Sequence, residues 1–213
     1  MKYRRLGKTG LKASVIGIGT WQFGGEWGQA FTPEEVKQLL GRARELGINL
    51  IDTAECYGDH LSESLIGQAI AQERDQWIVA TKFGHKFPAN FERIEQWSPQ
   101  EVQQQLEQSL KALRTDTIDL YQFHSGTDKV FAQDDLWTML NRQLQAGKIR
   151  YLGLSLSSRI DPVYQTERAT EVGVSVIQVV YNRLDQTPEQ RVLPLCQEQD
   201  LGVLARVPLA SGF

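Results

Sequence analysis

The sequence predicts an α/β protein, a (β/α)8 TIM barrel that carries an N-terminal β-hairpin and ends after its seventh strand. Three observations support this prediction. Short apolar runs rich in β-branched residues alternate with longer stretches of helical period, and helix-capping motifs stand at the start of several of these stretches. The glycine fingerprint of a dinucleotide-binding open sheet is missing after the first run.

Seven apolar runs are predicted to be strands, because each is nearly continuous in apolar residues, as parallel strands covered on both faces are. They read SVIGIG (14–19), NLIDTA (49–54), WIVATKF (77–83), IDLYQFH (118–124), YLGLSLS (151–157), VIQVVYN (176–182) and GVLARVPL (202–209). Before them, residues 2–14 predict a short hairpin in which KYRRL and LKAS flank a KTG turn.

Helix starts are marked by a hydroxyl residue, then proline, then Glu or Gln at the third position. Thr32, Ser98 and Thr187 each begin such a motif, in which the hydroxyl accepts from a free amide and the third side chain reaches back. Asp161 followed by proline is a looser version, and further helices are expected at about 61–71 and 134–147. Strands that alternate with helices in this way form a parallel sheet with right-handed crossovers.

Two parallel architectures compete, an open doubly wound sheet and a closed barrel. The first turn reads GIGTW and then GGEWG, which is not the G-x-G-x-x-G of a dinucleotide-binding sheet, so the seven regular units favour the barrel. A closed barrel needs eight strands and usually about 250 residues. Residues 1–213 are therefore expected to be a single barrel domain that lacks the eighth βα unit, as a fragment or with a partner that covers the gap.

Composition excludes several classes of protein. The chain is 41% hydrophobic and 23% charged, with a net charge of -3 and no basic run, so a nucleic-acid partner is not expected. No signal peptide or apolar membrane span is found, and two cysteines are too few for a disulfide framework. No His, Cys and carboxylate spacing resembles a metal site. We expect a soluble cytoplasmic protein with no membrane partner and no metal.

Four ionisable side chains are predicted to meet at one end of the barrel. In this fold functional groups gather at the C-terminal ends of the strands, which here carry Asp52 and Tyr57 after the second strand, Lys82 at the third and His124 at the fourth. Each has an ordinary alternative, such as a helix cap for Asp52 or a satisfied core position for His124. Their occurrence at the same phase of consecutive βα units favours a shared site.

The chemistry expected of these residues is proton transfer by a phenol. Tyrosine has a reference pKa of about 10, which is too high for efficient transfer near neutrality. An ammonium such as Lys82 at about 4 Å would favour the phenolate of Tyr57 by about 4 kcal/mol at an effective dielectric of about 20. The pKa would then fall by up to roughly three units. Asp52 would keep Lys82 charged, and His124 would bond the substrate oxygen. Such a site protonates a carbonyl oxygen, so another species must deliver the hydride.

The motifs IDTAECYGDHLSE, ATKFG, IDLYQFH, GLSLS and IQVVYN, in this order and spacing, resemble the aldo-keto reductase family over essentially the whole chain. The resemblance implies an NADPH-dependent oxidoreductase, with NADH as the alternative cofactor, that reduces a small aldehyde or ketone to an alcohol. It also implies a monomer and a catalytic tetrad of Asp52, Tyr57, Lys82 and His124, in which Tyr57 is the general acid.

The same resemblance implies residues for the cofactor and the substrate. The cofactor-binding set is Thr20, Asp52, Ser155, Gln178, Arg206, Pro208, Leu209 and Ser211, and the substrate-binding set is Trp21, Phe23, Tyr57 and His124. Arg206 stands where a tyrosine commonly stacks on the nicotinamide. A guanidinium also stacks on rings, but its charge would disfavour the cationic oxidised cofactor. Leu156 follows Ser155 where the family often has asparagine, and Ser157 is a candidate to replace the lost contact.

Two other functions remain open at this stage. One is a nicotinamide-binding regulatory subunit, similar to the channel-associated β subunits of the same family, with little turnover. The other keeps the barrel and makes Lys82 a Schiff-base nucleophile, as in a lyase. Outside the tetrad, an apolar wall of the substrate site is expected from Trp21, Phe23 and Trp27. His85 and Lys86 are expected in a solvated loop at residues 85–97.

Overall fold

A computed structural model of the chain describes residues 1–212, and it contains one sheet of seven parallel strands. In chain order the strands are β1 (Tyr3–Arg5), β2 (Lys12–Ser14), β3 (Ile18–Gly19), β4 (Leu50–Asp52), β5 (Ile78–Phe83), β6 (His85–Lys86), β7 (Ile94–Glu95), β8 (Ile118–His124), β9 (Ile149–Ser155), β10 (Val174–Val180) and β11 (Gly202–Arg206). The helices are α1 (Pro33–Glu45), α2 (Leu61–Ala69), α3 (Pro99–Leu113), α4 (Asp128–Phe131), α5 (Asp134–Gln145), α6 (Val163–Glu167) and α7 (Val192–Glu198).

The main sheet has the order β3-β4-β5-β8-β9-β10-β11, and every adjacent pair in it is parallel. All seven predicted strands are present in this sheet. Because the strands pair in the order in which they occur along the chain, each crossover returns beside the strand it left. Their C-terminal ends consequently lie along one edge of the sheet.

The predicted N-terminal hairpin is confirmed, with β1 and β2 antiparallel and Tyr3 opposite Ser14. Its Leu6 packs in a buried cluster with residues of four sheet strands: Leu50, Ile78, Ala80, Leu120 and Val176. At Gly7 the backbone φ is +51°, and an added Cβ would lie 2.0 Å from the amide nitrogen of Gly202, so only glycine fits. Ser14 is tied to the start of β4, since its amide donates to Asn49 Oδ1 at 2.8 Å. The hairpin therefore covers the N-terminal ends of the strands and leaves the opposite end for a site.

The predicted capping boxes at Thr32 and Ser98 are confirmed, at the starts of α1 and α3. The one predicted at Thr187 is wrong. That hydroxyl donates to Asp185 Oδ1 at 2.6 Å, the next residues form a 3-10 turn, and α7 begins only at Val192. An aspartate two residues earlier competed for the capping hydroxyl, as short polar side chains do in turns. Among residues 1–212 no helix is both long and apolar enough to cross a bilayer.

The main core lies between the outer face of the sheet and the helices. Alternate strand residues such as Ile51, Val79 and Ile177 are fully buried against helix residues such as Leu40 and Leu106. Leu40 lies in α1 and Leu106 in α3. Both of these helices have apolar residues at spacings of three and four, so each presents one apolar face to the sheet. The same alternation sends the intervening strand residues to the inner face, which is where polar side chains enter the site.

Residues 85–97 were expected to be a solvated loop, and this expectation is wrong for His85. The segment folds back as a two-stranded hairpin of β6 and β7, with His85 opposite Glu95. Its entry is fixed by Gly84, where φ is +118° and an added Cβ would lie 2.0 Å from the ring of Trp97. The buried Trp97 ring also contacts the His85 ring, with 5.3 Å between centroids. This packing holds the His85 imidazole at the sheet edge.

Candidate active site

The structure brings the four predicted catalytic side chains to one edge of the sheet. Asp52 ends β4, Lys82 is the fifth residue of β5, and His124 ends β8. Tyr57 follows in the turn between β4 and α2, where Gly58, with φ +66°, packs its backbone against Gly24. The register of parallel strands thus places side chains that are up to 72 residues apart in sequence (52 to 124) around one space.

Asp52 is the most heavily bonded of the four. Its Oδ2 accepts from Lys82 Nζ at 3.0 Å, and its Oδ1 accepts from Gln122 Nε2 at 3.1 Å and from Gln178 Nε2 at 2.9 Å. Three donors from three other strands therefore fix one carboxylate. Of these donors, Gln178 was predicted to bind the cofactor, and Gln122 was not predicted to be in the site.

Lys82 is buried, with 1% of its surface exposed, and its ammonium donates to Asp52 and, at 2.6 Å, to the carbonyl oxygen of Thr53. Burial is the largest single influence on Lys82 and acts to lower its pKa. The charge and hydrogen bond of Asp52, together with Tyr57 and Glu55, nevertheless raise the pKa above its usual value. The side chain is consequently held as an ammonium ion. A protonated amine is a poor nucleophile, so this geometry opposes the Schiff-base alternative.

Tyr57 lies between an indole and an imidazole. Its ring stacks on Trp21 with centroids 6.0 Å apart and meets His124 edge-on at 6.4 Å, and Lys82 Nζ is 5.2 Å from the ring centre. Burial of the phenol raises the pKa of Tyr57 to about 12, although Lys82 acts to lower it. The expected pKa below 10 is therefore wrong for the site as it stands, because desolvation of the phenolate outweighs the nearby ammonium.

Two further ionisable groups lie beside His124. Glu55 is buried, and its Oε2 is 3.8 Å from His124 Nδ1, while its Oε1 is 3.9 Å from His85 Nδ1. Burial lowers the pKa of His124 despite the opposing carboxylate, and burial together with His124 lowers the pKa of His85 to about 4. Burial acts to raise the pKa of Glu55, but the imidazoles hold it below its usual value. Near neutral pH this trio is a carboxylate with two neutral imidazoles.

An aromatic wall, defined as Trp21, Trp27 and Phe91, covers one side of Tyr57. Its three rings meet edge to face, with centroids 4.9 to 6.4 Å apart. Glu26 links the segment that carries the two tryptophans to the segment that carries Phe91. Its carboxylate accepts hydrogen bonds from Trp21 Nε1 at 3.0 Å and from the Phe91 amide at 3.1 Å. The two tryptophans were predicted from the sequence to belong to the wall, and Phe91 was not.

Phe23 was expected in this wall, and the structure places it elsewhere. Only 6% of its surface is exposed, and its ring packs on Phe31 with centroids 5.0 Å apart. It belongs to the core beneath α1, because the 3-10 turn Trp21–Gly24 sends residues two apart to opposite sides. A sequence scan that counts aromatic residues cannot make this distinction.

The predicted cofactor residues lie along the same edge of the sheet. Thr20 follows β3 and Asp52 ends β4, and the others lie at or just beyond the ends of β9, β10 and β11. Ser155 Oγ and Gln178 Oε1 are hydrogen-bonded at 3.0 Å, and Arg206 Nη2 donates to the carbonyl oxygen of Leu156 at 2.9 Å. Thr20 is buried, and its hydroxyl donates to the Asp52 carbonyl oxygen at 3.0 Å. The remaining three, Pro208, Leu209 and Ser211, are exposed just beyond β11. Ser157 accepts from the Arg159 amide and is thus engaged in its own turn.

Gln122, which was missed, and His85, which was assigned to a solvated loop, both had a usable signal. Gln122 lies two residues before His124 in a strand, so the period of two places both on one face, and a polar side chain there had to find a partner. His85 follows the β5 run closely enough to reach the same edge. Glu55 and Glu26 had no comparable signal, because they lie in turns whose course depends on distant packing.

Comparison with known proteins identifies the family. Residues 15–213 match the model of the Aldo/keto reductase family. The chain belongs to this family. Among its relatives, aldo-keto reductase YhdN of Bacillus subtilis is 34% identical over 217 residues, covering 100% of the chain and 63% of the relative. The NADH-specific methylglyoxal reductase of Escherichia coli is 32% identical over 229 residues, covering 100% and 69%.

The solved structure of an aldo-keto reductase from Bacillus halodurans, in its holo form, superposes on the chain with a TM-score of 0.88 at 32% identity. The match covers 100% of the chain and 68% of that structure. This likeness confirms the predicted barrel class for the part of the aldo-keto reductase fold that the chain contains. The chain spans 63% to 69% of the lengths of the two curated relatives named above.

Proposed function

We propose that this site reduces the carbonyl group of a small aldehyde or ketone to an alcohol, with a hydride from NADPH or NADH and a proton from Tyr57. The observation that carries the proposal is the buried ion pair of Lys82 and Asp52 directly beside the Tyr57 ring. The reduction places negative charge on an oxygen, and a fixed ammonium next to the proton donor offsets that charge.

The raised pKa of Tyr57 suits the donation of a proton to the carbonyl oxygen. At neutral pH the phenol carries its proton, which is the form a general acid needs. As the carbonyl oxygen gains charge, the proton moves to it and leaves a phenolate. Lys82, already fixed by Asp52 and Thr53, would then stabilise that phenolate without reorganisation.

His124 would orient the substrate. Its imidazole is neutral near pH 7 and meets the Tyr57 ring at 6.4 Å, so a ring N–H can donate to the same carbonyl oxygen. The aromatic wall of Trp21, Trp27 and Phe91 supplies an apolar side to this space. We infer that the substrate carries an apolar group next to its carbonyl.

The residues at β9 to β11 fit a nicotinamide cofactor. Ser155 and Gln178 present a hydroxyl and an amide at adjacent strand ends, which match the donor and acceptor of a carboxamide. Among residues 1–212 the buried Nε of Arg206 finds no hydrogen-bond partner, so these residues leave a donor available there. When bound, the cofactor supplies the hydride. One relative is named as NADH-specific, so both cofactors belong in the assay. A monomeric state and a cytoplasmic location stay predictions.

The test compares Tyr57→Phe with Tyr3→Phe, because the second variant removes a phenol from the hairpin at the opposite end of the sheet. Oxidation of NADPH and of NADH is followed over a panel of apolar aldehydes, and cofactor binding is followed by fluorescence. Tyr57→Phe should lower turnover by roughly 10²- to 10⁴-fold and leave cofactor binding unchanged. Tyr3→Phe should change neither. Near-normal turnover by Tyr57→Phe would exclude the proposed acid.

A further inference from the structure

We propose that Glu55, His85 and His124 form a binding site for a divalent zinc ion at the edge of the candidate active site. The inference rests on the positions of their ligand atoms, on two buried polar atoms that lack partners, and on the balance of charges around them. It concerns metal binding and does not depend on turnover.

The three side chains present one ligand atom each within 4.8 Å of the others. Glu55 Oε1 is 3.9 Å from His85 Nδ1, and Glu55 Oε2 is 3.8 Å from His124 Nδ1. Tetrahedral zinc with bonds of about 2.1 Å holds its ligand atoms about 3.4 Å apart. Small side-chain rotations would therefore bring this trio to bonding distance.

Within residues 1–212, two of these ligand atoms are buried without a hydrogen-bond partner. They are Glu55 Oε2 and His85 Nδ1, and only 2% of the surface of Glu55 is exposed. A buried polar atom without a partner is costly, roughly 1–3 kcal/mol and more for a charged group. A cation placed between the two atoms would satisfy both at once.

In the part of the chain that the structure describes, no lysine or arginine forms an ion pair with Glu55. Lys82 is paired with Asp52 at 3.0 Å, and Arg93 is paired with Glu26 at 2.7 Å. Among the described residues, the buried Glu55 side chain has its ion-pair contacts with the imidazoles of His85 and His124 alone. A buried charge in a protein is normally paired or bound to a metal.

The type of ligand favours zinc among common divalent ions. Two imidazole nitrogens and one carboxylate form a set that zinc uses with a fourth, open position. Calcium and magnesium prefer oxygen ligands, of which this trio supplies only the carboxylate. The carboxylate is also held in place, because Glu55 Oε1 accepts from the His85 amide at 3.0 Å. Such supporting bonds orient metal ligands and contribute to affinity.

The chain offers a matched control because it has three histidines in all. The third, His60, bonds to Glu63 at 2.5 Å and has a φ of +66°, a conformation that asparagine tolerates. The variants are therefore Glu55→Gln and His85→Asn, with His60→Asn as the control. A fourth variant, Cys56→Ala, tests the thiol that lies 3.8 Å from His124 Nδ1.

Binding of ZnCl2 is measured by calorimetry, and CoCl2 serves as a probe whose visible absorption reports the ligands. We expect one ion per chain, and at least a tenfold loss of affinity in Glu55→Gln and in His85→Asn. His60→Asn and Cys56→Ala should retain the affinity. Circular dichroism establishes that each variant is folded, and two independent variants keep the test decisive if one is not.

Three results would overturn the proposal. The first is the absence of zinc binding by the folded chain, and the second is equal affinity in Glu55→Gln, His85→Asn and His60→Asn, which would indicate adventitious binding. The third is a loss of binding in Cys56→Ala with thiolate charge-transfer absorption of cobalt, because this would place the metal on the thiol. None of these measurements involves carbonyl reduction, so the proposed function stands or fails separately.

Discussion

Removing the carboxylate of Asp52 should leave the Lys82 ammonium buried without a counter-charge. The Asp52 carboxylate now accepts hydrogen bonds from three donors. In Asp52→Asn the side-chain amide keeps only one acceptor oxygen, so it cannot accept from all three. At 3.0 Å and an effective dielectric of about 20, the lost attraction is about 5.5 kcal/mol as an upper bound. Breaking buried ion pairs costs about 3–5 kcal/mol, and the partial exposure of Asp52 favours the lower end.

The assay is urea denaturation followed by circular dichroism. With a slope of roughly 2–3 kcal/mol per molar urea, a loss of about 3 kcal/mol lowers the midpoint by roughly 1 M. Asp200→Asn is the matched control, because it removes the same carboxylate from an ion pair with Arg5 in which both side chains are more than half exposed. Solvent screens such pairs, so the control midpoint should not move measurably. Equal midpoints for the two variants would refute the reasoning that burial makes the Asp52 pair important.

Further predictions concern glycine positions and a thiol. Gly84→Ala should destabilise by about 1–3 kcal/mol, since φ is +118° and the new Cβ meets Trp97. Gly41→Ala, in the middle of α1 with free space around it, should instead stabilise by about 0.5–1 kcal/mol. Burial raises the pKa of Cys196 to about 12. In a Cys56→Ala background, alkylation of Cys196 by iodoacetamide at pH 8 should be roughly a thousandfold slower than for a free thiol and should rise with pH. Melting temperatures and mass spectrometry measure these effects, and a stabilising Gly84→Ala or a rapidly alkylated Cys196 would contradict them.

The proposed catalytic residues that sequence reasoning placed correctly at the sheet edge share one property, which is a fixed phase relative to a strand end. Asp52, Lys82 and His124 could be placed because parallel strands bring their C-terminal ends to one edge. Their partners could not be placed in the same way. Gln122 and Gln178 reach the Asp52 carboxylate from positions 70 and 126 residues away, and only the pairing of strands shows which side chains meet.

The pKa of Tyr57 shows the same limit. The sequence supplied a phenol and an ammonium, and the Coulomb attraction between them predicted a lowered value. The structure adds the loss of water around the phenol, which acts in the opposite direction and is larger. Desolvation depends on how many distant residues surround a group, so no local pattern reports it.

The sequence by itself determined the features that depend on near neighbours. These are the seven strands, the capping boxes at Thr32 and Ser98, and the motifs that place the chain among the aldo-keto reductases. Only the tertiary structure decided that Phe23 belongs to the core and that His85 reaches Glu55 and His124. The physical reason is that propensity and capping act over a few residues. Burial and electrostatic pairing at the site are set by contacts between segments that are far apart in the chain.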